Sequence, residues 1–114
     1  AMKQVTAIFR PIRLEAIEQA LHALPHLPRF TILPAHGHPR GHGKDHSYIA
    51  DEWSPDTHQH LVLLAFCSDE VVDEIVQAIE KAAHTGVPGD GIVAVSPLTD
   101  ALRIRTGERG DAAL

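Results

Sequence analysis

The sequence predicts an α+β fold, a four-stranded antiparallel sheet with two helices on one face. Three observations carry this expectation. Four short apolar segments rich in β-formers alternate with two segments whose apolar residues recur at helical spacing. The chain is 114 residues long, so these elements share one domain, residues 2–114. Apolar residues make up 44% of it, enough for a core and too many for disorder.

Val5 to Phe9 is a short apolar run stopped by Pro11, read as a buried strand. Leu14, Ile17, Leu21 and Leu24 then line one face of a helix, with Glu15, Glu18 and Gln19 on the other. Pro25 and Pro28 end it, because proline lacks an amide proton and clashes with the preceding turn. Phe30 to Leu33 reads as the second strand. Residues 34–60 hold three Pro, three Gly and six His and keep no period, which predicts a long exposed loop. Leu61 to Phe66 is a continuous apolar strand. Ser68 is expected to cap the second helix, with Asp69 and Glu70 in its first turn. Val72, Ile75, Val76, Ile79 and Ala83 form that helix's buried stripe. Gly86, Pro88, Gly89 and Gly91 break it, and Ile92 to Val95 is the fourth strand. Leu102 to Ile104 reads as a short extended piece.

This βαββαβ order is the ferredoxin-like split motif. The third strand does not alternate with polar residues, so both its faces are expected to be buried. Two helices cover only one face, and other subunits are expected to cover the second.

Composition excludes several function classes. The net charge is −5, against general nucleic-acid binding, which needs a basic face. The longest strongly apolar run, Leu61 to Cys67, is far short of the ~20 residues that cross a bilayer. No secretory leader pattern is visible, so a cytoplasmic protein without membrane insertion is expected. One cysteine, Cys67, forms no internal disulfide framework and reads as a small buried hydrophobe.

The stretch Thr85-Gly86-Val87-Pro88-Gly89-Asp90-Gly91, followed by Arg103-Ile104-Arg105-Thr106-Gly107-Glu108, resembles the PII family of signal-transduction proteins. Ala7-Ile8 before Pro11 and Leu14 at the first helix agree, and the likeness runs over nearly the whole chain. The resemblance implies a homotrimer that binds ATP or ADP in clefts between neighbours. It also implies a T-loop, here about residues 36–60, pressing on a target such as a membrane transporter or a metabolic enzyme. By the family pattern Thr31 would meet adenine, Ile8 and Phe66 would line the base pocket, and Gly37 and Arg40 would approach the phosphates. The residue chemistry fits. Gly89, Asp90 and Gly91 form a turn with little Cβ obstruction, so its amides can face an anion. Arg103 and Arg105, read as alternating on extended backbone, would place two guanidinium forks on one side for phosphate oxygens.

The sequence departs from the family at informative places. Ile92 stands where a phosphate-contacting lysine follows the turn, His60 replaces a loop-end lysine, and Gly41 aligns with a metal-chelating glutamine. Leu64 replaces an acidic residue. Losing a charged hydrogen-bond partner costs roughly 1.5–3 kcal/mol. ADP, AMP or another adenylate is therefore expected ahead of the ATP and 2-oxoglutarate pair. Trp53 occupies the position of a tyrosine that many bacterial relatives uridylylate, and indole has no hydroxyl to modify. Trp53 and the nearby Tyr48 are candidate partner contacts.

The loop suggests a second reading, a metal-responsive binding protein linked to heavy-metal homeostasis. His36 and His38, like His58 and His60, are spaced by two, so on extended backbone each pair points to one side as a chelate needs. A divalent transition metal is the ligand this implies, with Asp45, Asp51, Glu52 and Asp56 as added oxygen donors. Catalysis is not expected: the chain has no Walker loop, no HExxH and no serine–histidine nucleophile pattern.

Overall fold

Strand β1 (Met2–Phe9) runs through the middle of the sheet and dictates its architecture. It pairs antiparallel with β3 (Gln59–Ser68) on one side, from Met2↔Ser68 to Phe9↔Leu61. On its other side it pairs with β4 (Gly91–Leu98), from Met2↔Leu98 to Phe9↔Gly91. Strand β2 (Phe30–His36) completes the sheet against β3, giving the order β2-β3-β1-β4. Helices α1 (Leu14–His22) and α2 (Val72–Ala83) lie together on one face. This is the expected ferredoxin-like arrangement. The computed structural model describes residues 1–27, 29–37 and 59–114.

The core lies between that face and the helices. Val5, Ala7 and Phe9 of β1 and Leu63, Ala65 and Cys67 of β3 point at Ile17 and Leu21 of α1 and Ile75 and Ile79 of α2. Period-two alternation sends these strand residues inward, and helical spacing does the same for the others. Cys67 is buried as expected, and burial raises its thiol pKa. Ile79 is fully buried, so Ile79→Val is expected to destabilise the fold by about 0.5–1.5 kcal/mol. Urea unfolding checks this, with a lower midpoint and an unchanged slope.

Several boundaries differ from the sequence expectation. β1 starts at Met2, ahead of Val5, because Lys3 and Gln4 find ladder partners in Cys67 and Phe66 and in β4. β2 continues through Pro34 to His36, and β3 begins at Gln59. The expected loop thus loses both its feet to the sheet. Helix α1 ends at His22, and Leu24 still packs on the core. Ser68 does not cap α2; it ends β3, and its carbonyl accepts from Val71 N. The helix begins at Val72 with no side-chain cap, and Asp73 and Glu74 occupy its first turn. Beyond β4, Leu102 makes one bridge to Arg109 and the chain then turns. No helix among the described residues is long and apolar enough to cross a membrane.

Among the described residues no helix covers the face away from α1 and α2, which stays partly exposed. The register places Ile8, Val62, Leu64, Phe66, Leu33 and Ile92 there together. Phe66 is 47% exposed and Ile92 62%. Both faces of β3 carry apolar residues; the helices bury one, and in the single chain the other, expected to be buried against other subunits, leaves Phe66 exposed.

Candidate functional site

The glycine turn after α2 is built around one carboxylate. Helix α2 ends at Ala83, and His84 is extended. Asp90 folds back on the turn and accepts hydrogen bonds from Thr85 N at 2.8 Å, Gly86 N at 2.9 Å and the Thr85 hydroxyl. Arg10 approaches from the end of β1, with Nε 3.6 Å from Asp90 Oδ1 and Nη2 donating to the Pro88 carbonyl. His84 Nδ1 lies 3.8 Å from Asp90 Oδ2. The Thr85 hydroxyl foremost, then the Thr85 and Gly86 amides and the Arg10 charge, lower the Asp90 pKa from 3.8 to about 2.

A depressed carboxylate pKa stabilises the fold above the ordinary value and stops doing so as pH falls through the folded one. Asp90 is therefore expected to hold the turn closed at neutral pH and to release it between about pH 4 and about pH 2. Amide exchange at Thr85 and Gly86, followed by NMR down that range, checks this; protection that stays flat to pH 2 would contradict it.

The turn also explains two glycines. Gly91 has φ +106°, and a Cβ there would fall 1.8 Å from the Ile8 carbonyl oxygen. Gly89 has φ +100°, and a Cβ there would fall 2.8 Å from Arg10 Nη2. The backbone of β1 and the Arg10 guanidinium occupy the space a side chain would need.

The arginine pair sits elsewhere. Arg103 N donates to Glu108 O at 2.9 Å, and the Arg103 carbonyl accepts from Thr106 N at 3.2 Å and Gly107 N at 2.7 Å. The segment is a tight turn closed by the Leu102↔Arg109 bridge, with Gly107 at φ +76°. The expected extended backbone is therefore corrected: period-two alternation does not apply across Arg103, Ile104 and Arg105. Both arginines nevertheless line one open cleft of about 1240 Å³, together with Thr31 and Phe66. Glu70 and Asp100 line it too, so its charge is mixed.

Seven of the predicted nucleotide residues line two clefts, and Gly37 and Gly89 line neither. Thr31, Phe66, Arg103 and Arg105 share the large cleft. Ile8, Asp90 and Gly91 line a smaller one of about 310 Å³, where β1 ends and β4 begins. Gly37 is at that same end of the sheet, just past β2, where a Cβ would fall 2.8 Å from His60 Nδ1. Arg40 lies outside the described residues, as do Tyr48 and Trp53.

The histidine reading finds no support. Ladder partners share a face, and His60 pairs with Ala35 while the adjacent His36 pairs with Gln59. His36 and His60 therefore point to opposite faces of the sheet. His38 and His58 lie outside the described residues. Among the described residues no three His, Cys, Asp or Glu side chains gather as a metal site.

Sequence reasoning missed Arg10. No local signal marks it: Arg10 directly follows β1, and nothing in its neighbours points to the glycine turn 80 residues on. Only the β1–β4 register, Phe9↔Gly91, makes the two neighbours.

Comparison with known proteins agrees with this architecture. The family model described as "Nitrogen regulatory protein P-II" matches residues 2–108. The P-II protein of Azospirillum brasilense is 34% identical over 99% of this chain and 100% of its own length. GlnK of Escherichia coli K12 is also 34% identical over 99% of this chain and 100% of its own. The crystal structure of Arabidopsis thaliana PII bound to citrate superposes with a TM-score of 0.76 at 26% identity, covering 99% of this chain and 92% of that one. Fold, glycine turn and whole-length similarity agree, and the chain belongs to the PII family of nitrogen regulatory proteins.

Proposed function

We propose that this PII-family chain is a cytoplasmic regulator that works as a homotrimer. It binds an adenine nucleotide (ADP, AMP or ATP) between neighbouring subunits and controls a target transporter or enzyme through residues 36–60. One observation above all supports this reading. Of the described residues matching the family's nucleotide pattern, Thr31, Phe66, Arg103 and Arg105 line one cleft of the protomer and Ile8, Asp90 and Gly91 line another, so neither cleft holds the full set. A neighbour bringing its arginine turn against this chain's glycine turn makes one site from the two halves. The uncovered apolar face supplies the driving force, because burying such a surface releases about 25 cal/mol per Å².

Within that site Arg103 and Arg105 grip phosphate oxygens, Thr31 and Phe66 meet the base from the same side, and Ile8, Gly37 and the Gly89–Gly91 amides complete the other wall. The role is one of binding and signalling, not catalysis. Calorimetric titration with ADP, AMP and ATP tests it. Micromolar binding to the native chain is expected, weakened at least tenfold in Arg103→Ala. The absence of heat for all three adenylates at millimolar concentration sinks the proposal.

A further inference from the structure

We propose that Arg10 is a positioning residue for the anion-facing turn: it clamps Pro88 and Asp90 from the end of β1 and holds the Gly89–Gly91 amides in their receptive shape without touching the ligand. The inference rests on the nucleotide reading above and extends it to a residue outside the turn.

Three observations carry it. First, the guanidinium bridges two points of the turn, donating from Nη2 to the Pro88 carbonyl and bringing Nε within 3.6 Å of Asp90 Oδ1. An arginine fork suits this, since it presents several donors in one rigid plane. Second, Arg10 Nε is buried and is the one side-chain polar atom, among the described residues, that is buried without a hydrogen-bond acceptor. Burying such a donor costs free energy, so the fold keeps it there for the charge it brings to Asp90. Third, Gly89 leaves the space the guanidinium uses, since a Cβ would meet Nη2 at 2.8 Å. A second arginine anchors the other side of the same connection: Arg13 Nε donates to the Ala82 carbonyl at 2.9 Å. The segment Arg10–Arg13 therefore holds the path from the end of α2 to the start of β4 at both ends. Among the described residues the basic side chains within 4 Å of Asp90 are Arg10 and His84, and His84 is the more exposed.

The test uses the full chain, with ADP and ATP as calorimetric probes. Arg10→Met keeps the aliphatic stem and is expected to weaken binding at least tenfold, and Arg10→Lys to recover to within about threefold of the native chain. Arg10→Met combined with Asp90→Asn is expected to lose no more than the worse single variant, since both act on one network. In the ligand-free chain, Arg10→Met is expected to raise the Asp90 carboxyl midpoint read by carbon NMR and to speed Thr85 and Gly86 amide exchange. Native affinity in Arg10→Met, additive losses in the double variant, or an unmoved Asp90 midpoint each overturn the proposal. If Arg10→Met does not fold, Arg10→Gln replaces it under the same readouts. If the native chain binds neither nucleotide, the reading above fails. The ligand-free Asp90 midpoint and amide exchange then decide the clamp alone.

Discussion

Gly91→Val is expected to cost about 3 kcal/mol or more of stability, because strain and overpacking coincide at this position. The φ of +106° already disfavours any L side chain, and the Cβ would sit 1.8 Å from the Ile8 carbonyl oxygen. That oxygen is backbone in the central strand and cannot swing aside as a side-chain tip would. β4 must therefore retreat from β1, and its ladder from Phe9↔Gly91 onward opens. For a domain of this size each kcal/mol moves the melting temperature by roughly 4–8 °C, so differential scanning calorimetry should show a fall of more than about 10 °C. Gly89→Ala provides the contrast. Its Cβ meets the tip of Arg10, a side chain able to move, so the expected fall is smaller and the damage is concentrated in the turn. Equal melting temperatures for Gly91→Val and the native chain would contradict the geometry.

Val62→Asp is expected to abolish self-association while leaving the protomer folded. Val62 lies on the uncovered face, between Ile8 and Leu33, its register partners on the two neighbouring strands. Val62 is half-buried in the lone protomer, so a carboxylate there keeps partial access to water at the sheet surface. In a trimer each interface would bury an unpaired charge, a cost of several kcal/mol per copy. Sedimentation of the native chain should give about three times the protomer mass of 12.4 kDa, and of the variant the protomer mass itself. Nucleotide binding should vanish with the trimer, although Val62 lines neither cleft. A native chain that sediments as a protomer would remove the shared cleft, and the proposed function with it.

Local patterns specify local structure here. The stripe Val72, Ile75, Val76, Ile79 and Ala83 became α2, and the continuous apolar run at Leu61 became the middle of β3. Element ends were less legible, because they depend on partners. Lys3 and Gln4 carry no strand signal of their own, yet they pair on both sides because β1 is central. Ser68 has the side chain of a helix cap, but β3 claims its backbone first. The Arg103–Arg105 segment was misjudged for a similar reason. Its alternating pattern suggested extension, whereas Gly107 at positive φ and the Leu102↔Arg109 bridge bend it into a turn.

From residue order alone came the βαββαβ architecture and the helix-facing core, which follow from periodicity and composition acting over a few neighbours along the chain, and the resemblance of the Thr85–Gly91 and Arg103–Glu108 stretches to the PII family. Contacts between distant segments were decided only on folding. The β1–β4 register brings Arg10 to Asp90 across 80 residues of chain. The β2–β3 register turns His36 and His60 to opposite faces. Both outcomes depend on strand alignment, in which a shift of one residue reverses every side chain, and no local pattern specifies that alignment.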